Sequence, residues 1–136
     1  MSYDIHLMGD KCPTCEHQPR KDDLGNPTYN LTPMFDFALT GKPMPKDEPP
    51  GGAVVLLRAK TRRPYGLRIL SGRKAGETLP VILKALSRMD DLKLRGKFLA
   101  LNPPNHWGDF DGAVNVMKNL RWAAEANPEM TWEIHC

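Results

Sequence analysis

Hydrophobic and polar residues alternate at both ends of the sequence, and this alternation predicts two β-strands. In Tyr3–Leu7 every second residue is hydrophobic. Thr131–His135 repeats the pattern, with Trp132 and Ile134 on one face. Side chains of a strand point alternately to its two faces, so each segment is expected to bury one of them. The two strands are natural partners in one sheet.

Hydrophobic residues spaced three and four positions apart predict two longer helices. The clearest covers about 76–89, where Pro80 is acceptable if it lies in the first turn. The second covers about 109–126 and is expected to end at Asn127-Pro128. Asp109 lies at the start of this helix, where the positive end of the helix dipole favours a carboxylate.

Proline, glycine and capping residues mark the shorter elements. Thr32 is expected to cap a short helix over 33–39, with Pro33 at its first position and Gly41 just past its end. The segment 41–52 is rich in proline and glycine, which predicts a loop. Short strands are expected at 28–31, 53–57 and 67–70.

These elements predict an α+β fold for the 136 residues. Strands and helices do not alternate regularly, which argues against a doubly wound sheet. We expect one domain, residues 1–136, in which a small sheet including the N- and C-terminal strands packs against two main amphipathic helices. A hydrophobic content of 40% is sufficient for one core. An exposed terminal strand could pair with a second copy, so a homo-oligomer is possible.

Composition limits where the protein acts and what it binds. No segment approaches the roughly 18 apolar residues that a membrane span requires. The N-terminus lacks the basic and apolar regions of a signal peptide. We therefore expect a cytosolic protein without a membrane partner. The net charge of +3 permits an acidic partner but does not require nucleic acid.

Several short motifs occur in an order that resembles a family of small uncharacterised proteins of tailed bacteriophages and bacterial prophages. They are YDIxL, TYNxTPxF, GETxP and NPxxTWEI, in the segments Tyr3–Leu7, Thr28–Phe35, Gly76–Pro80 and Asn127–Ile134. The segment 41–68 departs from the pattern. The resemblance implies a phage context and the cytosol of the host cell, and it implies no catalytic role.

The sharpest local motif is Cys12-Pro13-Thr14-Cys15. Two thiolates at this spacing can bind one Zn²⁺, and proline between them favours the tight turn. Zinc requires two further ligands, for which the candidates are His6, His17, His135 and Cys136. The alternative is a pair of reduced, exposed thiols without a metal. The cofactor prediction is therefore none, or one structural zinc.

A basic segment suggests an anion site. No acidic residue lies between Glu48 and Glu77, and seven basic residues do: Arg58, Lys60, Arg62, Arg63, Arg68, Arg73 and Lys74. The clearest helix begins at the end of this segment, where unpaired N–H groups could bind phosphate beside Arg73, Lys74 and Gly76. The spacing does not fit a Walker A loop. Tyr65 could stack a base, and the alternative is a run of solvated charges.

Two further groups are weaker candidates. Tyr29 and Asn30 could line a pocket, although a strand end before a capped helix explains them equally well. His106 and Asp109 invite an acid–base interpretation. Helix capping and packing are the simpler explanation for this pair.

We therefore expect a non-enzymatic phage accessory protein that binds an anionic ligand. The ligand would be a nucleotide or nucleotide-derived defence signal, or an acidic surface of a host protein. One alternative is a zinc-stabilised nucleic-acid-binding module that uses Cys12, Cys15 and the basic segment. Another is a small hydrolase centred on His106 and Asp109.

Overall fold

The computed structural model describes residues 2–15, 17–22, 24, 27–44 and 64–135. They form an α+β fold, as predicted. Two 3-10 turns and seven strands and helices follow one another in this order: β1 (Asp4–Met8), β2 (Arg20–Lys21), the turn Tyr29–Leu31, α1 (Thr32–Thr40), the turn Gly66–Leu70, α2 (Ala75–Asp90), α3 (Arg95–Leu99), α4 (Phe110–Ala126) and β3 (Thr131–His135).

The sheet confirms the pairing of the two terminal strands. Its order in the described residues is β2-β1-β3, and both pairs are antiparallel. Asp4 pairs with His135 at one end of β1, and Met8 pairs with Thr131 at the other. The hydrophobic residues of both strands are buried on the inner face, as the alternation predicts: Tyr3, Ile5, Leu7, Trp132 and Ile134. The outer face carries mainly polar residues, with Met8 at the end of β1.

The two long helices cover the inner face and also agree with prediction. α2 buries a stripe of residues three or four positions apart, which are Ala75, Thr78, Ile82, Ala85 and Met89. α4 packs against it and begins after Asp109, whose carboxylate accepts a hydrogen bond from the Gly112 N–H at 2.7 Å. Pro80 lies in the second turn of α2 because the helix begins at Ala75. The helix continues through the proline.

Two predicted strands, at 28–31 and 67–70, are wrong, because these segments form 3-10 turns. In the first, the Thr28 hydroxyl accepts a hydrogen bond from the Asn30 N–H at 3.4 Å. In the second, Leu67 and Leu70 are both buried. A 3-10 turn places residues three apart on the same side, whereas a strand would point them to opposite faces.

α1 confirms the short predicted helix but not its cap. It ends at Gly41, whose φ of 75° is the left-handed conformation that glycine favours at this position. Thr32 is the first residue of the helix and not its cap. Its hydroxyl donates to the Tyr29 carbonyl at 2.6 Å. Thr32 therefore joins α1 to the preceding turn.

The remaining sequence predictions concern segments that are only partly described. The strand expected at 53–57 and most of the loop at 41–52 lie outside the described residues. Within the part of the chain that is described, no helix is long and apolar enough to span a membrane.

Candidate functional site

A cleft of about 450 Å³ opens at the end of the sheet where β1 ends and β3 begins. One wall is the loop between β1 and β2, which contributes Gly9–Lys11 and Gln18. The opposite wall is the turn Ser71–Gly72, and the floor includes Thr131–Glu133. Two chain segments far apart in sequence therefore line one open, concave surface.

Hydrogen bonds hold the loop wall in a hairpin-like shape. The Gly9 N–H donates to the Pro19 carbonyl at 2.7 Å, and the Gln18 side-chain amide donates to the Gly9 carbonyl at 2.9 Å. Nearer the tip, the Cys12 N–H donates to the His17 carbonyl at 2.7 Å. These contacts fix the position of Asp10 and Lys11 beside the cleft.

The opposite wall is held by β3. The Gly72 N–H donates to the Trp132 carbonyl at 2.8 Å, and the Trp132 N–H donates to the Arg73 carbonyl at 2.9 Å. Lys74 pairs with Thr131 in an antiparallel bridge. Residues opposite each other in such a pair share a face, so the Lys74 side chain lies on the same face as that of Thr131. Arg73 and Lys74 are thus placed beside the cleft.

The predicted free N–H groups at the start of α2 are not free. The Ala75 N–H donates to the Met130 carbonyl at 2.7 Å, and the Gly76 N–H donates to the Pro128 carbonyl at 2.8 Å. The next two N–H groups both bond to the Lys74 carbonyl. The helix start therefore lacks the free N–H donors that the predicted anion site assumed, because backbone carbonyls already occupy them.

Gly76 has a packing role in this arrangement. A Cβ atom at this position would lie 3.0 Å from both the Cβ and the carbonyl oxygen of Pro128. Glycine therefore allows the chain before β3 to approach the helix closely enough for the hydrogen bond. No ligand is needed to explain this residue.

Charges of both signs surround the cleft. Lys11, Asp10 and Glu133 line it, and all three are exposed. Lys74 is 3.4 Å from the Glu129 carboxylate, and both side chains are solvent-exposed. Such an exposed ion pair contributes little to the stability of the fold. Lys74 can therefore leave Glu129 for a stronger partner. Arg73 is exposed and has no ion-pair partner among the described residues.

The other predicted ligand-binding residues lie elsewhere or outside the described residues. Arg68 is exposed in the 3-10 turn that precedes Ser71. Tyr29 packs its ring 5.6 Å from the Tyr3 ring, at the opposite end of β1 from the cleft, and Asn30 follows it. Tyr65 precedes Gly66, which also adjoins the Tyr3 hydroxyl. The remaining basic residues, Arg58, Lys60, Arg62 and Arg63, are not described.

The predicted zinc ligands are only partly brought together. Cys12 and Cys15 lie in one turn, and His17 follows in the same loop. His135 pairs with Asp4 at the far end of β1, about 13 Å along the strand from the Met8 end. Cys136 lies outside the described residues. Among the described residues no three His, Cys, Asp or Glu side chains are grouped to hold a metal.

The Cys12 thiol is nevertheless in an unusual environment. The backbone N–H of Cys15 lowers the pKa of the Cys12 thiol, and the Cys15 side chain and the Thr14 backbone add to this effect. Donors that point at a sulfur favour its thiolate form, which is the form that binds metals. The turn therefore favours the thiolate form of Cys12 more than an isolated thiol would.

An ionisable network that the sequence did not predict lies on the outer face of the sheet. The His6 Nδ1 atom lies 2.8 Å from the Asp22 carboxylate, which also bonds the Arg20 guanidinium. This guanidinium lowers the pKa of Asp22. His135 contacts Glu133 at 3.0 Å, and its ring lies 6.5 Å from that of His6.

A sequence signal for this network exists. An acidic residue, isoleucine and histidine occur in this order in both terminal strands, at 4–6 and 133–135. Ile5 and Ile134 pair in the sheet. Antiparallel pairing therefore places both histidines on the outer face.

The histidine and aspartate of the hydrolase alternative have separate roles. His106 is exposed and adopts a φ of 61°. The Asp109 carboxylate caps α4 through the Gly112 N–H. Capping thus explains Asp109, as the simpler interpretation expects.

No family model, curated protein or solved structure matches this chain. Function therefore has to be inferred from the residues themselves. The cleft, the thiolate turn and the outer-face histidines are the three features that bear on it.

Proposed function

We propose that the protein is a binding protein whose cleft takes a small anionic ligand of the nucleotide class. The observation that supports this is the charge around the cleft. Lys11 and Asp10 lie on one wall, Glu133 lies on the floor, and Arg73 and Lys74 adjoin the other wall. This arrangement suits a ligand that carries both a negative group and hydroxyl groups.

Each part of a nucleotide has a chemical complement here. A phosphate can accept charge-assisted hydrogen bonds from a guanidinium and two ammonium groups. Ribose hydroxyls can donate to carboxylates, which are acceptors only. A volume of about 450 Å³ lies within the usual range of small-molecule sites. The two carboxylates also disfavour a ligand that carries negative charge throughout its length.

The sequence resemblance supports a setting for this activity. The order of the sequence motifs resembles that of small proteins of tailed bacteriophages, and on this basis we propose an accessory protein that acts in the cytosol of an infected cell. A nucleotide-derived defence signal is then the ligand of greatest interest, because binding it would withhold it from its receptor. An acidic surface of a host protein is the competing ligand, and it would contact Arg73 and Lys74 without filling the cleft.

Ligand-induced stabilisation tests the proposal. Purified protein is heated with linear and cyclic nucleotides, with oligonucleotides, and without addition. A ligand present at about 100 times its dissociation constant stabilises the folded state by about 2.7 kcal/mol. We expect a raised melting temperature with at least one nucleotide. No shift with any of them would contradict the proposal.

A charge-removing variant localises the site. The double substitution Arg73→Ala with Lys74→Ala should weaken nucleotide binding at least tenfold in isothermal titration, because two of three cations are lost. Lys118→Ala is the matched control, since Lys118 is an exposed cation on α4 and does not line the cleft. Equal affinity of the double variant and the control would exclude the cleft as the site.

The thiolate turn favours a second candidate, a zinc-stabilised nucleic-acid-binding module. This candidate requires zinc in the purified protein and binding to oligonucleotides that weakens steeply with salt, because phosphate contacts release counterions. The oligonucleotide arm of the melting experiment separates the two. Stabilisation by oligonucleotides alone would favour the second candidate.

A further inference from the structure

Cys12 and Cys15 lie at the tip of the loop between β1 and β2. The base of this loop is closed by the Gly9–Pro19 hydrogen bond, and a second bond from Cys12 to His17 lies nearer the tip. Cys15 is exposed and Cys12 is partly exposed, and neither forms a disulfide. Both sulfur atoms are therefore presented at the surface by an ordered turn.

The turn has the features of half of a tetrahedral zinc site. Two cysteines separated by two residues can bind one ion, and Pro13 restricts the backbone between them. The turn also brings the two cysteines together, since the backbone N–H and the side chain of Cys15 both face the Cys12 sulfur. Donors of this kind also orient a metal-bound thiolate.

The other half is missing from the described part of the chain. A structural zinc site is four-coordinate. No third His, Cys, Asp or Glu in the described residues joins the two thiols in a metal-binding group. His135 is excluded as a zinc ligand because it lies at the far end of β1 from the loop that carries Cys12 and Cys15. The most direct source of two more thiolates is an identical turn on another molecule.

We propose that the Cys12–Cys15 turns of two copies bind one Zn²⁺ as a four-thiolate site and thereby join the copies. A two-fold axis through the ion would make the contact self-complementary, which is the commonest symmetry of homodimers. Binding releases the thiol protons to solvent and transfers no electrons. Four thiolates and one Zn²⁺ leave a charge of −2, and Lys11 of each copy lies next to Cys12 and offsets it. This proposal does not depend on the nucleotide proposal.

Metal content and mass, measured together, test the proposal of a dimer joined by zinc. Full-length protein is reduced, stripped with a chelator and titrated with Zn²⁺, and its mass is followed by native mass spectrometry and gel filtration. We expect a monomer without metal and a dimer with one zinc per two chains. Substitution by Co²⁺ should give the absorption bands of a tetrahedral four-thiolate ion. Renewed chelation of the unmutated protein should return the monomer, a test that needs no variant to fold.

Variants identify the ligands. Cys12→Ser and Cys15→Ser should each abolish the zinc-dependent dimer while the far-ultraviolet circular dichroism is unchanged. His17→Ala and Cys136→Ser are the controls and should retain both zinc and dimer. One zinc per monomer, a dimer that persists without metal, zinc retained by the cysteine variants, or no bound zinc would each overturn the proposal.

Discussion

The contact between Trp132 and Thr78 offers the most direct test of the fold, because it joins β3 to α2 by one buried hydrogen bond. The Trp132 indole N–H donates to the Thr78 hydroxyl at 2.8 Å, and that hydroxyl donates to the Ala75 carbonyl at 2.8 Å. Trp132 is 1% exposed and Thr78 is 0% exposed. Replacing Thr78 by valine preserves the shape of the side chain and removes the hydroxyl.

The loss of stability expected for Thr78→Val comes mainly from the tryptophan. Its N–H would remain buried without an acceptor, which costs about 1–3 kcal/mol. The added methyl group regains up to about 0.8 kcal/mol of hydrophobic burial. Thr78→Val should therefore lower the free energy of unfolding by about 1–2 kcal/mol. For a domain of this size the melting temperature should fall by about 3–8 °C.

A double-mutant cycle isolates the hydrogen bond from the change in packing. Urea unfolding followed by circular dichroism gives the free energy for the parent, Thr78→Val, Trp132→Phe and the double variant. Phenylalanine has no N–H, so Thr78→Val should cost less than about 0.5 kcal/mol in that background. An equal cost of Thr78→Val in both backgrounds would refute the assigned contact.

Two further substitutions test the assignments near the cleft and on the outer face. Gly76→Ala should lower the free energy of unfolding by about 1 kcal/mol, because its Cβ would press on the Pro128 carbonyl, and isothermal titration should show unchanged nucleotide affinity. A loss of affinity without destabilisation would restore Gly76 to the binding site. Arg20 lowers the pKa of Asp22, so this carboxylate adds stability above its unfolded pKa, and the contribution is lost as pH falls through the lower folded value. Urea unfolding from neutral pH to about pH 2 should show the difference between the parent and Asp22→Asn shrinking below about pH 4, and a constant difference would contradict the ion pair.

Local patterns were sufficient to predict the main elements. The alternation in the two terminal strands and the stripe along α2 both reflect burial on one side of a regular element, and such burial is encoded within a few neighbouring residues. α4 begins after Asp109 and α1 ends at Gly41, both as predicted, because capping chemistry is also local. The packing of the sheet against the two long helices follows from these faces.

The site could not be predicted in the same way, because contacts distant in sequence form it. The start of α2 resembles an open anion site until the carbonyls of Met130 and Pro128, more than 50 residues later, occupy its N–H groups. The cleft likewise combines a loop near residue 10 with a turn at 71–72. The sequence predicts Arg73 and Lys74 as cations beside the helix start, and both also adjoin a cleft that no local pattern reveals.

The edges of the sheet bear on how two copies could associate. An exposed terminal strand could pair with a second copy, but the segment 71–75 covers the outer edge of β3 through the hydrogen bonds of Gly72, Trp132 and Ala75. The opposite edge is β2, which has only two residues, and both are basic. Short, charged edge strands discourage pairing with another sheet. Pairing of strands between copies is therefore disfavoured at both edges of the described sheet. The Cys12–Cys15 turn lies in the loop between β1 and β2 and belongs to neither edge. A dimer joined by a metal ion at that turn needs no strand pairing between the sheets of the two copies, which their edges disfavour.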